Sequence, residues 1–148
     1  MTDESDPHWI PDRATVLAYN ERFAQEFRRN SGRVDSFGEG NLLLLTTTGA
    51  KTGATRMSPL VYLTVGGKVL IVGSFRGSPK DPSWVHNLRA TPVAQVEVGS
   101  EIYEVDAVEL GGQDREYVYS EIVKIAPIFA EYQGKTERVI PIFELRRR

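Results

Sequence analysis

The 148-residue sequence contains no cysteine, which excludes a disulfide framework, a thiolate metal site and a cysteine nucleophile, and fits a reducing compartment. Histidine is nearly as scarce, with only His8 and His86, and the carboxylates do not cluster, so no metal site is expected. Long apolar runs are missing too. Leu42 to Leu45 and Val69 to Val72 fall far short of the roughly 20 residues a membrane-spanning helix needs. The opening "MTDESDPHWIPD" is acidic where a secretory leader is basic. Together these absences make a cytoplasmic protein the expectation, and the length suits one globular domain.

A further shortage is local. The net charge is −2, yet residues 40–96 hold six bases (Lys51, Arg56, Lys68, Arg76, Lys80 and Arg89) against one acid, Asp81. Even spacing would place roughly eight carboxylates there. A stretch cleared of acids inside an acidic chain points to an anionic ligand. Nucleic acid is the weaker candidate, because the pI is about 5.7 and the segment lacks interleaved surface aromatics.

What is present reads as one helix followed by strands. From Asp12, a candidate N-cap, to Ser31, the residues Val16, Tyr19, Phe23 and Phe27 recur at three- and four-residue steps, with Gly32 as the stop. Such an amphipathic helix packs on the domain or closes one side of a pocket; contact with a membrane surface or a second subunit is the alternative. The runs 41–49, 55–65, 68–74, 92–99, 101–110 and 138–145 are short and rich in β-branched residues, and glycine-containing turns separate them. Six mostly antiparallel strands follow, and Gly66-Gly67 suits a two-residue hairpin turn. Two helical inserts interrupt them. One opens at Asp81-Pro82 as cap and first helical residue, and the other runs from Asp114 to about Ile125, halting at Pro127. Strands in this number close most economically as a barrel.

Two stretches carry candidate chemistry. In "TTTGAKTGATR" a phosphate-binding Walker loop is excluded, since Ala50 precedes Lys51 and a strand follows Gly53. What survives is a compact turn, Lys51-Thr52-Gly53, that holds Lys51 and Arg56 together as a clamp for one phosphate. In "GSFRGSPKDPSWVHNLRA", Gly73 and Ser74 end a strand, where a glycine admits close approach and leaves N–H donors free; Arg76 and Lys80 flank them. Trp84 and Asn87 share a helix face, so one can stack on a ring while the other bonds its edge; the plainer reading is a buried tryptophan and a helix-ending asparagine. "GSFRG" is not a nucleophile elbow, and no G-x-G-x-x-G supports a nicotinamide fold.

The segments "LLLLTTTGAKTGATRMSPL", "GSFRGSPKDPSWVHNLRATP" and "AEYQGKTERVIPIFEL" resemble the deazaflavin-dependent nitroreductase family, oxidoreductases with a split β-barrel that use coenzyme F420; the likeness covers roughly residues 38 to 146. The resemblance implies a mainly β fold with α: a split barrel (38–148) behind an acidic tail and amphipathic helix (1–37). It implies that Lys51 and Arg56, with Thr52 and Gly53 of their turn, hold the cofactor phosphate. Ser58 and Pro59 would line the groove, Gly73, Ser74, Phe75, Arg76 and Gly77 would meet the ring and its polar edge, Lys80 would add charge, and Trp84 and Asn87 would cover the ring. A proton must also reach the reduced acceptor; Tyr132 is the expected substrate-side hydroxyl, Ser74 the second choice and bulk water the third. Many relatives carry a basic residue at position 50, lysine at 75 and tyrosines at 126 and 129, where this chain has Ala50, Phe75, Ala126 and Phe129. Those changes favour a bulkier apolar acceptor.

The expected activity is hydride transfer from reduced F420 to a quinone, an enone or a nitroaromatic. The rivals are an FMN-dependent oxidoreductase on the same barrel and a non-catalytic carrier or sensor. Expected partners are a hydrophobic acceptor and no nucleic acid, with peripheral membrane contact through the first helix and a homodimer left open.

Overall fold

A computed structural model describes residues 13–32 and 41–148. The Asp12 cap, the acidic tail and the 37/38 boundary expected from sequence lie outside the described residues. The helix α1 (Arg13–Arg29) precedes seven strands in one antiparallel sheet: β1 (Leu42–Thr48), β2 (Thr55–Val61), β3 (Leu63–Val65), β4 (Lys68–Val72), β5 (Val93–Val98), β6 (Glu101–Glu109) and β7 (Ile142–Arg147). Helix α2 (Ser83–Ala90) separates β4 from β5, while α3 (Gly112–Ile125) and α4 (Ile128–Gly134) separate β6 from β7.

The strand order is β2-β1-β5-β6-β7-β4-β3. Its outermost members, β2 and β3, are consecutive in the chain with only Tyr62 between them, so the sheet curls until its edges meet at that residue; no ladder joins β2 to β3, and the result is a split barrel. Seven strands stand where six were expected, because the run 55–65 breaks at Tyr62. On one side of the break β2 pairs with β1, and on the other β3 pairs with β4. The run expected at 138–145 is also corrected. Pro141 has no N–H for a ladder, the Ile140 amide donates to the Gln133 side chain at 3.0 Å, and strand pairing starts only at Ile142. The segment "IFAEYQG" forms a helix of its own, α4. Gly66 and Gly67 form the predicted turn, with φ of 57° and 79°, values that only glycine adopts freely.

The barrel interior is filled by Leu43, Leu45, Ile71, Val85, Leu88, Val96, Val105 and Phe143. Outside it, α1 lays Phe23, Ala24 and Phe27 on Leu42 and Leu44, with Met57 alongside. Full burial of the two phenylalanines contributes about 1.5–3 kcal/mol each. The helix runs to the barrel end that holds the β5–β6 turn, where a Cβ on Gly32 would stand 2.7 Å from the Gly99 Cα. There Arg28 forks onto the Glu97 carboxylate at 2.9 and 2.8 Å. The face predicted by Val16, Tyr19, Phe23 and Phe27 is only half used. Phe23 and Phe27 are buried and Val16 is half-buried, while Tyr19 remains 47% exposed, as does Leu17 beside that face at 42%.

Candidate active site

The closure at Tyr62 has a geometric consequence. In the β3–β4 ladder Leu63 pairs with Leu70. Before Leu63 the chain is β2, which pairs only with β1, while β4 keeps β7 on its far edge, so the ladder has no continuation and opens. Extending its register, Pro59 would have faced Ser74 and Met57 would have faced Arg76. The barrel is therefore split between the free edge of β2 and the chain at 73–77. Proline suits this lip. The Tyr62 and Gly49 N–H groups donate to the Asn41 and Ala54 carbonyls across β1–β2, so, by antiparallel alternation, position 59 turns its missing N–H away from β1. The Met57 carbonyl points the same way and accepts the Asn20 side-chain amide at 3.2 Å, which sets α1 along the outer lip. Neighbouring strand residues face opposite sides: Ser58 shares the interior face with Arg56 and Leu60, and Pro59 the outer face with Met57.

The opposite lip is a strained turn. Ser74 is right-handed, with φ −70° and ψ −39°, and Phe75 and Arg76 follow at φ 43° and 56°. Two successive non-glycine residues in the left-handed region cost about 1–3 kcal/mol each, and such strain concentrates at ligand clamps. A right-handed residue followed by a left-handed one turns successive N–H groups into a concavity that accepts anionic atoms. The amides of Ser74, Phe75 and Arg76 have no backbone acceptor among the described residues; the turn closes instead through Gly77 and Ser78, which donate to the Ser74 and Phe75 carbonyls at 2.8 and 3.0 Å.

Gly73 and Gly77 hold this turn in place by close packing. A Cβ on Gly73 would lie 2.8 Å from Pro141 and 2.9 Å from Val85, and one on Gly77 would lie 2.7 Å from the Tyr132 carbonyl. The Gly73 N–H, expected to be free, donates to the Pro141 carbonyl at 2.8 Å. Contact with Gly77 brings α4 to the site. Tyr132 is half-buried, edge-on to Phe129 with centroids 5.9 Å apart, and the Lys135 ammonium lies 5.8 Å from the tyrosine ring centroid. Ala126 and Phe129 back this face, packed against Leu63, Leu70 and Ile122.

The β1–β2 turn sits at the same end. Asn87 of α2, 6% exposed, accepts the Ala50 N–H at 2.9 Å and donates to Thr47 Oγ1 at 3.0 Å. It therefore braces the hairpin rather than presenting a free amide. Thr52 Oγ1 accepts the Ala54 N–H, and Gly53 has φ 75°, so both shape the turn that carries Lys51. Trp84 is 5% exposed and packs edge-on against Phe143, centroids 5.8 Å apart. Its indole belongs to the core beneath the site, the plainer of the two sequence readings.

Charge at this end is unbalanced. Lys51, Arg56, Arg76 and Lys80 form no ion pair among the described residues, and all but Arg56 are exposed. The acid of the segment, Asp81, does not cap α2, whose N-cap position is Pro82 with no side-chain bond. Its carboxylate instead receives Arg138 at 2.7 Å and Arg89 at 3.2 Å, while Arg89 also forks onto Glu109. The two remaining bases lie elsewhere: Arg89 in that chain of pairs, and Lys68 beside the Gly66-Gly67 turn. A wide depression of about 720 Å³ lies between Arg89, Gly111 and Val139, and none of the four unpaired cations lines it. There Arg89 pairs with Glu109 and Arg115 with Glu116, so no net charge draws an anion to it.

Arg138 is the residue of this region that sequence reasoning missed. It sits 57 to 65 positions from its partners, and no local spacing could reveal it. The only signal was its place inside "AEYQGKTERVIPIFEL".

A split barrel with unpaired cations and a concave amide turn on its lips can seat an anionic heterocycle, and the relatives of this chain are F420H(2)-dependent reductases. The chain belongs to the F420H(2)-dependent quinone reductase family, whose model matches residues 20–146. It is 38% identical over 127 residues to the F420H(2)-dependent quinone reductase Rv1261c of Mycobacterium tuberculosis, covering 82% of this chain and 85% of the relative. Among solved structures, an F420-H2 dependent reductase, FDR-A, is 41% identical with TM-score 0.64, covering 72% of this chain and 94% of its own. A second, described as a domain-swapped dimer, is 35% identical with TM-score 0.65 and coverages of 87% and 97%.

Proposed function

We propose that the split holds coenzyme F420 and that residues on its two lips divide the work. The protein is an F420H2-dependent reductase acting on quinones. The observation that carries the residue roles is the opening between β2 and the 74–76 turn, with free amides and unbalanced cations gathered at its end of the barrel. These groups suit a cofactor that bears a phosphate and acidic tail at one end and a polar ring edge at the other.

Lys51 and Arg56 hold the phosphate, from a turn that Thr52 and Gly53 shape and Asn87 fastens to α2. Arg76 and Lys80 draw the acidic tail. The Ser74, Phe75 and Arg76 amides take the ring edge, while Ser58 and Pro59 form the facing lip. When bound, the reduced cofactor supplies a hydride from its central ring carbon, with little tendency to one-electron chemistry. The protein's part is orientation and exclusion of water. Phe129 and Tyr132 give the acceptor an apolar face, and the Tyr132 hydroxyl delivers a proton to the reduced acceptor's oxygen, with the Ser74 hydroxyl as second choice. A quinone fits this face better than a small polar nitro compound, since Ala126 and Phe129 stand where relatives carry tyrosines.

An optical titration with reduced F420 against a quinone, an enone and a nitroaromatic tests the reading, with FMN as the control cofactor. Oxidation should be fastest with the quinone. Tight FMN binding without F420 binding would overturn it, and F420 binding without turnover would leave a carrier. We also infer a homodimer, supported by the domain-swapped relative and by the exposed Leu17 and Tyr19 of α1; light scattering decides it. No helix among the described residues is long and apolar enough to cross a membrane, and contact of α1 with a lipid surface is the remaining alternative.

A further inference from the structure

Close packing at Gly73 and Gly77 fixes the two ends of the strained turn, but the carbonyls flanking Phe75 and Arg76 also need to be held. The concentration of bonds nearby belongs to one side chain. Arg138 Nε donates to the Ser78 carbonyl at 2.9 Å, Nη1 to the Gly73 carbonyl at 3.1 Å and to Asp81 Oδ1 at 2.7 Å, and Nη2 to the Ser74 carbonyl at 2.8 Å. A planar guanidinium thus gathers the carbonyls before and after the turn to one point, with the carboxylate beside them. Gathering those carbonyls on the Arg138 side leaves the Ser74, Phe75 and Arg76 amides without backbone acceptors, and it shortens the path so that Phe75 and Arg76 reverse through positive φ. Only a rigid fork with several donors makes this set of bonds; a lysine offers a point charge on a flexible stem.

We propose that Arg138 is a positioning residue for cofactor binding: it touches no ligand, but locks the 74–76 turn in the conformation whose amides accept the cofactor's polar edge. Asp81 is its orienting partner and is tied back through Arg89 to Glu109 on β6. The Arg138 side chain is only 14% exposed, and burial lowers its pKa against the opposing pull of Asp81. The one acid of the basic segment therefore serves Arg138 and does not offset the cations at the split. The inference rests on the reading that the turn meets the cofactor.

Arg138→Lys keeps the charge and loses the fork. With coenzyme F420 as the probe, its dissociation constant should rise at least about tenfold, the lower end of what losing the partner that orients a binding group costs. The salt dependence of binding should stay that of the native protein, whereas Arg56→Ala, which removes a charge facing the ligand, should flatten it. The three-bond HN–Hα couplings of Phe75 and Arg76, read with the strong intraresidue HN–Hα NOEs that mark positive φ and needing no ligand, should leave their left-handed values in Arg138→Lys. Unchanged couplings, or an F420 affinity within about twofold of native in the folded variant, would overturn the proposal. A flattened salt dependence would also overturn it, since Arg138 would then be touching the ligand. If Arg138→Lys does not fold, the isosteric Asp81→Asn takes the same measurements with the same expectations at reduced size. Failure of the native protein to bind F420 would sink the functional reading alone, because the couplings still decide what Arg138 does.

Discussion

At the residue scale, charge and packing divide the labour between neighbours. Lys51 on the braced turn and Arg56 at the start of β2 have no acid partners among the described residues, so Lys51→Ala combined with Arg56→Ala should weaken F420 binding by about 1–3 kcal/mol, discounted for the exposure of Lys51. Calorimetric titration checks this, and an unchanged affinity would remove the phosphate clamp from the site. Trp84 belongs to the other class. Its indole lies against Phe143 in the core, so Trp84→Ala should cost about 3–5 kcal/mol of stability, read from urea unfolding; a native midpoint with lost F420 binding would restore the stacking role. From sequence alone the two roles of Trp84 looked alike, because a shared helix face with Asn87 does not say what the face meets. Asn87 shows the same limit. Its spacing was legible, but its partners Thr47 and Ala50 lie 40 and 37 positions away.

At the scale of elements, α2 is tied to the hairpin through Asn87 and to β6 through Arg89. The forked bonds from Arg89 hold the Glu109 pKa below the ordinary carboxylate value, with burial acting against them. A carboxylate whose pKa is lower in the folded state contributes stability that is complete above its unfolded value of about 4.3 and is lost as pH falls through the folded value. Glu109→Gln should therefore be less stable than the native protein at neutral pH, with the gap closing in acid. Both partners are exposed, so the gap is at most about 1 kcal/mol; pH-dependent urea unfolding measures it, and a constant gap would remove the pair from the account. The hairpins and the Gly66-Gly67 turn were legible because period-two runs and turn residues are local signals. The break at Tyr62 was not, since the apolar pattern of 55–65 runs straight through it and only the choice of partner strand changes.

At the scale of the whole molecule, the net charge and the local field have opposite signs. A protein at −2 overall carries unbalanced cations at one end of its barrel, and those should steer an anionic cofactor into the split. Stopped-flow association with F420 should slow as ionic strength rises; an association rate indifferent to salt would mean that the field plays no part. The barrel itself was readable from strand number and antiparallel turns. The split was not, because it arises where two ladders part company, a property of register across the closed sheet.

The two ends of the barrel are unlike. The split, the β1–β2 turn and Arg138 occupy one, and Gly66-Gly67 with the exposed Lys68 occupies the other. Since the chain has no thiol of its own, Lys68→Cys would give a single reactive handle at the far pole, and a dye or an electrode linker attached there would leave the mouth of the enzyme facing solution.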